Sequence, residues 1–355
     1  MIDPKWRRLM FSAARRSFLV IAVVLVAAGA VPAHAANLTH ARSDDPATPA
    51  SVPDGYVVTP NGYFHPSCVH HIEADQRVHR DGSIENADHS LQRPAACVYA
   101  HFDARGNRIE ASQGAIATDG VVGTDDFVRG DTIYTGTFDF YVGYIESLTR
   151  RVALAQAVQS MEAFFTVPAS PARHGDQTVY LFPGLEYYEH VQTILQPVLG
   201  WNAFQDNAWT LTSWDCCVDG SVNYAGPVSI QPGDVIDGTM TGSNCDASTH
   251  VCANWIVKAL NLSSNQAATL HTVGHSQAFD WLFAGALEVY SLSTCDQLPS
   301  GRSVRFSAID ATTIAQTALV DLPWQAGNPG TLVACDYHMS VNPPGTHAGD
   351  VTLYY

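Results

Sequence analysis

An acid standing alone in an apolar run is where chemistry is sought first, and Glu288 interrupts Ala286-Leu287-Glu288-Val289-Tyr290 in this way. An unpaired carboxylate in an apolar setting is costly, so one retained there points to a working group. The plainer alternative is an alternating strand on which Glu288 faces water. A carboxylate can serve as general base on a water molecule, and a side-chain amide can donate to the oxyanion that follows. The same carboxyl then returns its proton to a leaving amine. Gln suits the amide role because it stays a neutral donor at any pH.

Other groupings compete. Gly274-His275-Ser276-Gln277-Ala278 nearly fits the Gly-x-Ser-x-Gly elbow that presents a nucleophilic serine, with Asp296 or Asp310 and His338 or His347 as partners. The α/β alternation an elbow requires is missing around it, and the last Gly is Ala. His65, Cys68, His70 and His71 are metal-ligand types, but no Cys-x-x-Cys occurs and no cofactor is expected. Asp206, Asn207, Asp215 and Asp219 lie near Trp201 and Trp214, a composition that could hold sugar with or without calcium. That grouping supports the alternative of a carbohydrate-binding module.

The elements that would position these groups read as strands. From Val179 to Met240, short apolar runs alternate with Pro, Gly, Asn and Asp, the pattern of a β-sandwich or barrel. Runs of the same kind continue after Met240. Residues 36–55 are polar and rich in Pro and Ala, a linker by composition. Residues 56–112 form a small His-rich unit that holds most of the seven histidines between His40 and His101. Residues 113–130 read as a second linker and 131–355 as the large β domain. Ala153 to Phe165 also fits a helix, with Leu154, Val158 and Met161 on one face.

Four blocks, YLFPGLE, ILQPVL, TLTSW and PGDVIDG, resemble in order and near spacing those of the eqolisins, glutamic peptidases on a concanavalin-like antiparallel β-sandwich. The resemblance implies an all-β fold and an acid-acting endopeptidase, with protein or peptide substrates. It matches Gln196 to one catalytic residue and makes Glu288 its partner, on a neighbouring strand of one concave sheet. It also implies a substrate groove with Glu186, Tyr187, Trp209, Ser213 and Trp214. The family's Asp in the first block is absent, with only Glu186 nearby, and Ser213 replaces the Glu of the Trp-rich strand. An inactive relative is therefore a second reading. Gly62 to Val69 is similar to a segment of the neprosin activation domain. The histidines concentrated in residues 36–112, beside a strongly acidic chain, suggest an inhibitor of the cleft that acid releases, and the plainer alternative is an accessory domain whose histidines are simply exposed.

The composition sets outer limits. The 355 residues are 46% hydrophobic and only 15% charged, enough for one large core. Residues 1–35 resemble an export signal, with five basic residues, an apolar run and Ala33-His34-Ala35 as a cleavage site. Arg15-Arg16-Ser17-Phe18-Leu19 resembles a twin-arginine signal. A secreted or periplasmic location is expected, with no membrane span after removal and a monomer as the simplest state. That segment carries five basic residues and one acid, so the net charge of −16 becomes −20 without it. Such a field repels nucleic acid and anionic membranes. The eight cysteines are an even number, and their spacings suggest Cys68 with Cys97, Cys245 with Cys252 and Cys295 with Cys335. Cys216 and Cys217 bridge each other or pair elsewhere.

Overall fold

The computed structural model describes residues 38–39, 48–103, 106–109, 144–152, 157–187, 193–204, 207–217, 220–319, 322, 324–326, 335, 337–342 and 349–355. The expected signal segment and second linker lie outside them. Strands dominate, and no α-helix occurs among the described residues. Eight short strands come first: β1 (Val57–Thr59), β2 (Gly62–Phe64), β3 (Val69–His71), β4 (Arg77–His79), β5 (Ile84–Glu85), β6 (Leu91–Gln92), β7 (His101–Phe102) and β8 (Arg108–Ile109). Longer strands follow: β9 (Tyr144–Arg151), β10 (Val158–Thr166), β11 (Thr178–Glu186), β12 (Ile194–Trp201), β13 (Trp209–Cys216), β14 (Val222–Ile230), β15 (Val235–Asp246), β16 (Val251–Asn261), β17 (Gln266–Val273), β18 (Trp281–Tyr290) and β19 (Ser303–Thr313). The last are β20 (Ala318–Leu319), β21 (Gln325–Ala326), β22 (His338–Asn342) and β23 (Gly349–Tyr354).

Two large sheets form a β-sandwich. One has the order β21-β9-β18-β11-β12-β13-β14-β3, and the other β22-β23-β19-β10-β15-β16-β17-β4-β5-β6, with β20 on β19. A small sheet, β1-β2-β7-β8, lies apart from both ladders. Leu181, Leu199, Leu211 and Leu287 meet Met240, Val257 and Phe306 in the core between the large sheets. The early residues are woven into both sheets. Strand β3 pairs in parallel with the free edge of β14, and β4 pairs in parallel with that of β17.

Strands β11, β12, β13 and β18 are buried at every position, so they show no alternation in exposure. The cause is a second core on the far face of their sheet. There Tyr180, Phe182, Val198 and Trp214 pack against Val57, Val58, Tyr63 and Phe64 of the first hairpin. An antiparallel sheet usually leaves one face wet, and along these four strands this one does not.

The helical alternative for residues 153–165 is corrected, because Val158–Thr166 is strand β10. A bulge between Val158 and Ser160 explains the helix-like spacing. It adds one residue, so that Val158, Met161, Ala163 and Phe165 all face the core. The disulfides Cys68–Cys97, Cys245–Cys252 and Cys295–Cys335 are all formed, and Cys216 bridges Cys217.

Candidate active site

Gln196 and Glu288 are both buried and lie on the same sheet face, the one covered by the early residues. Their expected placement on neighbouring strands is corrected: β11 runs between β12 and β18. Glu288 pairs with Tyr180 across β18 and β11, and Tyr180 pairs with Gly200 of β12, four residues from Gln196. In a flat sheet that offset separates the two backbones by roughly 16 Å. Directly across Gly184 from Gln196 stands Phe283. Gly184 pairs with Phe283, and a Cβ on Gly184 would sit 3.6 Å from both Gln196 Cγ and Phe283 Cδ2.

Glu186 is the carboxyl closer to Gln196. It pairs with Ile194, two residues before Gln196, which makes Glu186 and Gln196 diagonal neighbours on one face. Such positions are about 7–8 Å apart at the backbone, within reach of long side chains. Glu186 is fully buried. The face therefore carries one amide flanked by two buried carboxyls, Glu186 near it and Glu288 farther along.

The β1–β2 hairpin lies on this face. Asn61 Nδ2 donates to Gln196 Oε1 at 3.4 Å, and the Gly62 N–H donates to the Tyr290 hydroxyl at 2.9 Å. Tyr290 in turn donates to Glu288 Oε1, a contact set by i, i+2 spacing on one strand. Glu288 Oε2 is buried with no hydrogen-bond partner among the described residues. Tyr180 donates to the Val58 carbonyl at 3.0 Å. Gly62 is required where it sits: its φ is +103°, and a Cβ there would lie 2.2 Å from the Phe102 carbonyl oxygen.

Burial governs the electrostatics. It pushes the Glu288 carboxyl up to about 8, and the hydrogen bond from Tyr290 offsets only part of that. The Tyr180 and Tyr290 phenols are raised well above their usual value, chiefly by burial and then by the Glu288 charge. In this closed arrangement Glu288 is therefore held protonated at neutral pH.

The expected groove residues separate into two sets. Trp214 lies on the candidate face, stacked on Tyr224 at 4.9 Å with its Nε1 donating to Thr212 Oγ1 at 2.7 Å. Tyr187 is half-buried just beyond the end of β11. Trp209 and Ser213 are corrected, because strand alternation turns both to the opposite face. Trp209 packs edge-to-face on Trp201 in the core between the sheets, and Ser213 Oγ donates to the Ala268 carbonyl of the other sheet.

The competing groupings do not assemble. Ser276 is exposed in a segment that leads into strand β18, so no strand–turn–helix elbow forms. His275 turns inward to Asp215 at 3.6 Å. That contact also takes Asp215 out of a sugar or calcium cluster. Asp206, Asp219 and His347 lie outside the described residues. No cluster of three or more His, Cys, Asp or Glu suited to a metal occurs among the described residues.

Tyr180, Tyr290 and Asn61 were missed from sequence as site residues. The spacing Glu288-x-Tyr290 on one strand was a usable signal, since it puts both side chains on one face. For Asn61, Pro60-Asn61-Gly62 has turn composition, but nothing local says where such a turn lands.

No family model matches the chain, and no curated protein matches it. Among solved structures, it is similar to a scytalido-glutamic peptidase with a peptide-based transition-state analogue. The identity is 12% and the TM-score 0.42, over 59% of this chain and 97% of that one. It is similar to SCP-B, a member of the eqolisin family in complex with the tripeptide Ala-Ile-His, at 14% identity and a TM-score of 0.41, with the same coverage. A toad ovary galectin with thio-digalactose follows at 11% identity and a TM-score of 0.24, over 47% of this chain and 96% of that one.

Proposed function

We propose that this chain is an acid-acting peptide hydrolase of the glutamic type, held closed by its own N-terminal residues. One observation carries the reading: a buried amide and two buried carboxyls share a sheet face, and a stretch of polypeptide already lies across it. Gln196 supplies the amide that donates to the oxyanion. Glu186, its diagonal neighbour, is the general base on water and returns the proton to the leaving amine. Glu288, tied to Tyr290, serves the chain that binds rather than the bond that breaks. The fully buried site works only after the β1–β2 hairpin lifts away. The four disulfides and the expected leader suit action outside the cytoplasm on protein substrates, as a monomer.

The test is hydrolysis of denatured protein by the full chain between pH 3 and 7. Gln196→Ala and Glu186→Gln should each lower the rate by roughly a hundredfold or more, and Ser276→Ala should leave it unchanged. A hundredfold loss in Glu288→Gln with little effect from Glu186→Gln would return the base role to Glu288. A second reading, a binding protein without catalysis, is favoured by Phe283, which occupies the position across Gly184 from Gln196. Absence of hydrolysis at every pH, with retained peptide binding, would select it.

A further inference from the structure

The same face carries two tyrosines that the hydrolytic chemistry leaves unused. Tyr180 and Tyr290 are fully buried. They are diagonal neighbours, since Tyr180 pairs with Glu288 and Thr178 with Tyr290. Their rings meet edge-to-face with centroids 6.1 Å apart. Packing accounts for the rings but not for where the hydroxyls point. A buried phenol needs a hydrogen-bond partner, and each hydroxyl finds one in the main chain of the hairpin. Tyr180 donates to the Val58 carbonyl at 3.0 Å, and Tyr290 accepts from the Gly62 N–H at 2.9 Å. The second role is fixed by the hairpin atom itself, because a main-chain N–H can only donate, and Tyr290 is held in place by its contact with Glu288 Oε1. Neither contact uses a side chain of the hairpin.

From this geometry we propose that Tyr180 and Tyr290 form a subsite that reads polypeptide backbone, one hydroxyl donating to a carbonyl and the other accepting from an N–H. The hairpin fills the subsite in the closed chain, and a bound polypeptide takes its place once the hairpin lifts. The ligand class is thus unfolded or extended polypeptide, recognised largely without regard to sequence. This assignment rests on reading the face as a peptide-hydrolysing site. Tyr180 and Tyr290 are positioning residues: they hold the chain, and Gln196 and Glu186 act on it.

Tyr180→Phe and Tyr290→Phe remove one hydroxyl each and keep the rings. In the full chain, at an acid pH where fast exchange in residues 57–64 shows the hairpin already released so that it no longer competes, each should raise KM for a long unstructured polypeptide by about five- to tenfold, the worth of one buried hydrogen bond. kcat should change less than about twofold, and two polypeptides of unrelated sequence should show the same factor. Hydrogen exchange at the Gly62 amide should quicken by a similar factor in Tyr290→Phe. An unchanged KM in both variants, a fall in kcat alone, or a factor that depends on substrate sequence would overturn the assignment. If a Phe variant does not fold, 3-fluorotyrosine at position 290 gives a weaker acceptor of nearly the same shape, and a smaller rise in KM is expected. If the wild-type chain hydrolyses nothing, the hydrolase reading fails by itself. Binding of a fluorescently labelled unstructured polypeptide to the same full chains, at the acid pH where the hairpin is released, then decides the subsite: a fivefold weakening in the variants supports it, and equal binding ends it.

Discussion

Glu288 shows how one residue can be legible in part. Its isolation among Leu287, Val289 and Tyr290 left two readings, a buried working group or a water-facing position on an alternating strand, and the side chain is buried. Its distance from Gln196 was not legible, because strand order is a non-local property and β11 comes between them. For the same reason Phe283 could not be seen facing Gln196 across Gly184. Burial favours the neutral carboxyl and raises Glu288 to about 8. The closed fold is therefore unpenalised below the unfolded value of about 4.5, loses stability as pH rises, and stops losing it above about 8. The loss amounts to about 5 kcal/mol at most. Glu288→Gln removes this dependence. Thermal midpoints measured at pH 5 and pH 8 should then differ less in the variant than in the wild type, and an equal difference would show that another group sets the slope.

At the scale of elements, the strands were legible from their apolar runs and turn residues, and three disulfide pairs from cysteine spacing. The β10 bulge was not, since an inserted residue mimics a helical period. The β1–β2 hairpin was not read, and its docking on β11, β12 and β18 depends on contacts more than a hundred residues distant. Two histidines bear on how it lets go. His101, stacked on Phe64 at 4.5 Å, is lowered to about 4 by burial. His70, on β3 against Asn223 of β14, is also lowered by burial. A lowered histidine leaves the docked state at full strength above its unfolded value of about 6.5. That strength drains away as pH falls, down to about 4 for His101. Glu288, raised by burial, acts in the opposite sense over this range, so the histidine effect is read in the Glu288→Gln background. There the expected result is faster hydrogen exchange in residues 57–64 at pH 4.5 than at pH 7, after correction for the intrinsic rate. His101→Phe should flatten that dependence and delay the onset of hydrolysis to lower pH. If the variant keeps the wild-type dependence, His101 has no part in release.

On the scale of the whole molecule, the all-β sandwich was readable because aromatic and β-branched residues recur in short runs throughout. The weaving of residues 69–92 into the two large sheets was not. Strands of two or three residues carry almost no periodicity, and parallel pairing by β3 and β4 leaves no local trace. That weaving has a consequence for the molecule's fate after opening. Strands β3 and β4 act as hems on the two long sheets. Once they come away, β14 and β17 each present a row of unsatisfied N–H and C=O groups, and such rows recruit other strands. An opened molecule would thus be adhesive along two defined lines. On acidification, light scattering should show association that rises with protein concentration and reverses as neutral pH restores the hems. The activating step would also start a race between taking hold of a foreign chain and sticking to a sibling, so the useful lifetime of an opened molecule would shorten as its own kind becomes crowded.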